Sequence, residues 1–326
     1  MSKICTHSGS FHADESLAVY MLQQLPKYSQ YDLIRSRDPK DWEESEIVID
    51  VSGKYDGEKY FDHHQREFFE TFPGFSTKLS SAGLIYKHFG QDIIKHKLNL
   101  TDSVQDSEII KGIWEKIYKE FIESIDANDN GISKYDESAT ASLEPKFVDR
   151  SLMLPSIIAN LNPQWYNDPT PEDFDKQFLK SSALMGQVFE NVLEYHGVSW
   201  VKSKAIVEDA IKGRFDVDKS GAIIKLEKYC QWKTHLYNTE KELGIEEAIK
   251  FVLYKDSSNS WRISTVSVNS GSFEFRLGIK EKWRGIRDEE LSKMVGIEDG
   301  IFVHANGFIG GAKSFESALK IARESL

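Results

Sequence analysis

The chain opens with a short apolar-rich run at residues 3–6 (KICT), which reads as a strand. Residues 14–21 (DESLAVYM) follow with an acid in the N-cap position and apolar residues at helical spacing. Residues 31–35 read as a second strand, and 47–51 (IVIDV) as a third. The third is a nearly continuous apolar run, the signature of a parallel strand buried on both faces. Residues 80–89 are helical, with Gly90 placed to cap the C-terminus, and 108–125 form a long amphipathic helix ending at Asp126. Strands alternating with helices predict an α/β fold with a parallel sheet. A polar, Pro-rich stretch at 162–171 (NPQWYNDPTP) reads as a linker, followed by a helix over about 171–195. The back half turns to short strands near 221–225, 250–254 and 261–268 and ends in a helix over 314–326. This pattern predicts a domain over 1–160, a linker and connecting helix over 161–198, and a smaller mixed α/β domain over 199–326.

A length of 326 residues suits two cores better than one. With 40% hydrophobic and 29% charged residues the composition is that of a globular protein, and no apolar run is long enough to span a bilayer, so no membrane partner is expected. The first strand begins at Lys3 and leaves no room for a presequence. With only Cys5 and Cys230, this implies a reducing, intracellular setting, cytoplasm or nucleus. A net charge of -11 argues against a general nucleic-acid coat protein. It leaves room for an enzyme that grips a few nucleotides around a metal. Through Pro155 there are 18 basic and 27 acidic residues, so the front half carries most of the negative charge, as a cation-binding domain would.

The candidate chemistry lies in that front half. THSGSFHADES places His7, His12 and Asp14 on a strand-to-helix loop, where open α/β sheets build their sites. Asp50 ends the apolar third strand, where an acid is costly unless something positive meets it. FDHHQR adds Asp62, His63 and His64, and SIDANDNGIS adds Asp126 and Asp129. Mixed imidazole and carboxylate donors point to divalent metals and suit manganese, zinc or iron better than magnesium.

Together, THSGSFHADE, VIDVSGKYD, FDHHQR, KLSSAGLIYKHFG, SIDANDNG, LNPQW, EKWRGIRDEEL and FVHANGFIGGAKSFESALKIA resemble the melanocyte-proliferating gene family of RNA exonucleases. That family is itself similar to the DHH phosphoesterase superfamily. The resemblance runs from Ile4 to about Ala322. The superfamily's usual first motif, H-x3-D-x-D, is replaced by His7-x4-His12-x-Asp14, which exchanges a carboxylate for an imidazole and shifts preference further towards manganese or zinc. The resemblance implies a DHH-like catalytic domain followed by a substrate-binding domain, with two divalent cations, manganese favoured over zinc or magnesium. It implies that His7, His12 and Asp50 hold one cation and Asp14, Asp50, His63 and Asp126 the other, with Asp50 bridging and catalytic. His64 resembles the histidine that contacts the phosphate. It also implies single-stranded RNA as substrate, digestion from 3' to 5', and adds the mitochondrion to the compartments.

Cations for the phosphate are expected from Arg37 and Arg66 beside the motifs. In the back half they are expected from Arg284 and Arg287 in KEKWRGIR, whose Trp283 offers a stacking face. His304, Gly310 and Gly311 precede the last helix and read as a glycine-rich anion site at a helix N-terminus, with the substrate in the cleft between the domains. The rival from the same chemistry is a phosphatase for pyrophosphate or short oligonucleotides. The rival from another class is a non-catalytic metal- or nucleotide-binding regulator. Oligomeric state has no signature in the sequence.

Overall fold

In the computed structural model, which describes residues 2–269 and 271–326, the chain divides into two compact units, residues 1–198 and 199–326. The first unit contains strands β1 (Lys3–Thr6), β2 (Asp32–Arg35), β3 (Ile47–Ile49) and β4 (Tyr60–Phe61). Its helices are α1 (Ala13–Gln23), α2 (Pro39–Glu44), α3 (Ser81–Lys97), α4 (Val104–Ile117), α5 (Glu123–Asp129), α6 (Glu137–Thr140), α7 (Leu154–Ala159) and α8 (Pro171–Glu194).

The four strands are all parallel, in the order β2-β1-β3-β4. Ile4, Cys5 and all of β3 are fully buried, so both faces of the sheet are covered, as the apolar runs require. Register then fixes the site. Thr6 lies opposite Arg35 and Ile49, and Ile49 lies opposite Phe61. The next residues, Ser36, His7, Asp50 and Asp62, therefore leave the sheet side by side at its carboxyl edge. Because β2 and β3 flank β1 on opposite sides, the crevice between β1 and β3 is the position where such sheets bind ligands.

Three local expectations change. Gly90 does not cap a helix; α3 continues through it to Lys97, and a Cβ at Gly90 would come within 2.9 Å of Trp114 Cδ1. The glycine serves close packing of α3 against α4. Second, the long helix is not uniformly α: a π-helical turn, Tyr118–Ile122, separates α4 from α5, and Asp126 lies inside α5 rather than at its end. Third, the helix read as a connector, α8, packs within the first unit. Gly186 lets the Tyr20 ring of α1 lie directly on its backbone, and Ser181 donates a hydrogen bond to Ser16 at 2.7 Å.

The second unit contains α9 (Val201–Lys212), α10 (Arg214–Val217), β5 (Ile223–Leu226), α11 (Trp232–Leu243), β6 (Phe251–Lys255), β7 (Trp261–Thr265), α12 (Asp288–Val295), β8 (Gly300–Val303), β9 (Ile309–Ala312) and α13 (Phe315–Arg323). Its mixed sheet runs β5-β6-β7-β9-β8, parallel only between β5 and β6. Strand alternation sends Ile223, Leu253 and Ile263 into one core and Ile224 and Val252 into another. Gly310 and Gly311 are buried inside β9 and paired with β7 and β8; they form no turn. Arg262 Nη1 lies across Gly311, in the space a Cβ would take. The glycine pair hid β9 from the sequence pattern, which also missed β8. Among the described residues no helix is long and apolar enough to cross a membrane.

Candidate metal centre

The loop from His7 to His12 is held from outside. Arg35, whose side chain is 2% exposed, donates from Nη2 to Gly9 O at 2.7 Å and pairs with Asp175 at 2.9 Å. Its guanidinium lies over the Phe178 ring at 4.5 Å. The Asn162 amide grips Phe11 like a strand neighbour, accepting from Phe11 N at 3.0 Å and donating to Phe11 O at 2.9 Å. The stretch expected to be a linker thus begins as a clasp on the first loop. So fixed, His7 is buried with Nε2 3.0 Å from Glu15 Oε1 and 3.5 Å from Asp50 Oδ2. Burial alone would lower its pKa, but the hydrogen bonds it donates to Asp50 and Glu15 outweigh that and raise it to about 9. His12 is exposed and heads α1; its backbone N–H donates to Glu15 Oε1 at 2.9 Å. Glu15 Oε2 is buried with no hydrogen-bond partner.

Asp50 sits at the centre. Its φ of 55° is left-handed, a strained backbone for a non-glycine residue and one that recurs at functional sites. His64 Nδ1 at 3.2 Å, His7 Nε2 at 3.5 Å and His63 Nδ1 at 3.6 Å surround its carboxylate, and Ser81 Oγ donates to it at 3.1 Å. Burial works against its charge, but the imidazoles win and hold its pKa well below the usual range. Asp62 orients His64: its carboxylate accepts from Gly53 N and His64 N and lies 2.9 Å from His64 Nδ1. Facing Asp50 and Asp62, His64 is raised to about 10.

The start of α3 explains the motif SSAG. Asp14 accepts from Ser81 N at 3.1 Å and from Ala82 N, which seats a carboxylate on a helix N-terminus. Ser80 Oγ lies 2.6 Å from Asp14 Oδ1 and 2.7 Å from Asp126 Oδ1, while Tyr118 Oη donates to Asp126 Oδ2 at 2.9 Å. The Asp126 carboxylate fills the space that a Gly83 side chain would need. Burial pushes Asp126 up to about 7, against the pull of its Ser80 and Tyr118 hydrogen bonds. Asp14 is also raised well above the carboxylate range, by burial and then by the charges of Asp129 and Asp50.

The expectation placed Asp126 among the donors of the second cation. Asp126 is fully buried behind Ser80, whereas Asp129 Oδ2 lies 3.0 Å from His63 Nε2 and faces the cavity. Glu15 joins His7 and His12 as a donor that the sequence reading passed over; its signal was the i,i+3 spacing from His12. A cavity of about 640 Å³ opens on this centre, and His7, His12, Asp14, Asp50, Asp62, His64 and Asp129 all reach it. Arg37 lines it too, 3.3 Å from His7 Nδ1. Arg66 is exposed and is not part of the lining, whereas Arg150 and Met153, unmarked by any motif, are.

The second unit's candidates fare differently. Trp283 is fully buried in the core and offers no face to a base. Arg284 is half-buried, donates from Nε to Ile279 O at 2.9 Å and lies against Gly307, so it ties two loops together. Arg287 and His304 are exposed; Asn306 N donates to His304 Nδ1 at 3.1 Å. With Gly310 and Gly311 inside β9, the glycine-rich anion turn is absent from that position.

The donor set fits divalent cations. Among the described residues, three groups each bring one donor atom per residue within 4.8 Å of the others: His7, His12 and Glu15; Asp14, His63 and Asp129; and Asp50, Asp62, His63 and His64. The raised pKa of Asp14, from burial and then from the charges of Asp129 and Asp50, and an orphaned Glu15 oxygen mark negative charge short of a counter-ion.

A family described as MYG1_exonuc, "Uncharacterised protein family (UPF0160)", matches residues 3–326. A MYG1 protein of Saccharomyces cerevisiae is 55% identical over 328 residues, covering 100% of this chain and 96% of its own. A protein of Homo sapiens named MYG1 exonuclease is 42% identical over 332 residues, covering 99% and 85%. A crystal structure of exonuclease RecJ bound to manganese aligns over 81% of this chain and 78% of its own at 11% identity, with a TM-score of 0.24, too low to bear on the site.

Proposed function

The chain belongs to the MYG1 exonuclease family, and from that premise we propose that it is a metal-dependent phosphodiesterase that removes nucleotides from the 3' end of single-stranded RNA. One observation carries the reading: imidazoles and carboxylates from four separate segments meet at the edge of one parallel sheet, around a single cavity. Two divalent cations, manganese favoured, would be held by His7, His12 and Glu15 on one side and by Asp14, His63 and Asp129 on the other. Asp50, which faces both His7 and His63, would lie between them. When bound, such cations stabilise charge on a phosphoryl group and lower the pKa of coordinated water.

The chain's own residues set the geometry. Asp62 and Asp50 hold His64 with its exposed edge free to donate a hydrogen bond to a phosphate oxygen. Arg37 contributes a charged donor at the same cavity. Ser80 and Ser81 fix Asp14 and Asp50, so the donors need little rearrangement. Hydrolysis adds water at phosphorus and breaks the bond to the 3' oxygen. The shortened strand keeps its 3' hydroxyl, and a nucleoside 5'-monophosphate leaves.

The test is digestion of 5'-end-labelled RNA and DNA, with pyrophosphate in parallel, in manganese and in excess chelator. The expected result is a manganese-dependent ladder from RNA that shortens from the 3' end. Phosphate release from pyrophosphate with intact RNA would replace this reading with the phosphatase.

A further inference from the structure

The cavity has two chemically different walls. One carries the metal donors. The other comes from the turn and short helix at 150–159, where Met153, Pro155 and Ala159, with Ile125 beneath, present apolar surface to the opening. Met153 is 55% exposed, while its neighbour Ile158 is fully buried and anchors the helix. Asn162, three residues beyond α7, clasps Phe11, so this wall and the metal loop are held in one frame. Arg150 lines the cavity from the same segment, and Arg37 lines it from the end of β2. A bare phosphate or pyrophosphate would use the donors and arginines and leave the apolar wall against water.

We propose that residues 150–159 form a subsite for the terminal nucleotide, with Arg150 gripping its phosphate beside Arg37 and the Met153–Pro155–Ala159 wall receiving its base. The subsite rests on the phosphodiesterase reading for its biological substrate, but its chemistry is testable alone. It takes an aromatic base attached to a phosphorylated sugar. The wall itself offers the base apolar contact, and Ser156, between Pro155 and Ala159, lines the same cavity with a hydroxyl.

The experiment is titration calorimetry of the full chain in manganese with adenosine 5'-monophosphate and with ribose 5-phosphate. Removing the apolar face of a base from water strengthens binding about tenfold, so the wild type binds the nucleotide about tenfold tighter than the sugar phosphate. Met153→Ser places a favoured residue at the N-cap of α7 and brings the nucleotide down towards the sugar phosphate, whose affinity stays put. Arg150→Ala weakens both ligands by a similar factor, about tenfold. Equal affinity for the two ligands in the wild type, or a ratio untouched by Met153→Ser, overturns the base wall. Unchanged affinities in Arg150→Ala overturn the phosphate contact. RNA digestion runs on the same preparations: intact RNA with the nucleotide preference retained would sink the exonuclease and leave the subsite standing.

Discussion

Replacing Asp126 by Asn tests whether this carboxylate is a metal donor or part of the wall behind the donors. In the fold it accepts from Ser80 N at 3.0 Å, lies 2.7 Å from Ser80 Oγ and accepts from Tyr118 Oη at 2.9 Å. Its pKa rises from 3.8 to about 7 because burial disfavours the charge. The folded state therefore holds a proton that the unfolded chain has lost between those pH values. Stability is fully present below about pH 4 and is lost as pH rises through 7. At about 1.36 kcal/mol per factor of ten in proton affinity, the loss reaches up to about 4 kcal/mol. Asn mimics the protonated acid and does not titrate, but it turns an amide towards Tyr118 and costs about 1 kcal/mol for the disturbed hydrogen bond. Metal-free Asp126→Asn is then about 1 kcal/mol less stable than wild type at pH 4 and up to about 3 kcal/mol more stable at pH 8. Urea unfolding followed by amide exchange in α5, in chelator, reads this difference. Asp14 titrates in the same direction and leaves a residual slope in both proteins. Manganese stoichiometry should match wild type. Parallel pH profiles would refute the buried-proton argument, and loss of one manganese would make Asp126 a direct ligand.

Asp50→Asn should lower RNA hydrolysis by several orders of magnitude while circular dichroism stays unchanged, because the charge facing His7, His63 and His64 is removed without changing shape; near-normal turnover at full metal loading would remove Asp50 from the mechanism. Gly83→Ala should destabilise the first unit by about 1–3 kcal/mol through its clash with Asp126, although helix propensity alone favours Ala by about 1 kcal/mol; a raised melting temperature would contradict the packing. Arg284→Ala should cost the second unit about 1 kcal/mol for the bond to Ile279 O and leave the salt dependence of RNA binding unchanged. A salt slope reduced by about one in that variant would place Arg284 on a phosphate instead.

The parts of this fold that read well from sequence were those built on uninterrupted periodicity. The apolar runs of β1 and β3 and the loop carrying His7, His12 and Asp14 could be placed because a buried parallel strand tolerates little else. What failed did so for local physical reasons. The π-helical turn at Tyr118–Ile122 inserts an extra residue into a long helix and rotates everything after it, so whether Asp126 or Asp129 faced the cavity could not be settled from a 3.6-residue period. Glycine in β9 reads as a turn until Arg262 is seen lying across it. Trp283 sits among charged neighbours and reads as a surface aromatic, yet its ring completes the core of the second unit. Arg150 has no motif because its role depends on where a long irregular segment comes to rest.

The clasp between Asn162 and Phe11 also sets a clock. The residues it joins are 151 positions apart, whereas every candidate metal donor lies at or before Asp129. On a ribosome adding about 5–20 residues per second, Asn162 follows Phe11 by on the order of ten seconds. During that interval the nascent chain displays its imidazoles and carboxylates on a loop whose clasp has not yet been made. Firm capture of a cation is deferred until more than 160 residues exist, which favours loading of a nearly complete domain over scavenging by an unfinished one.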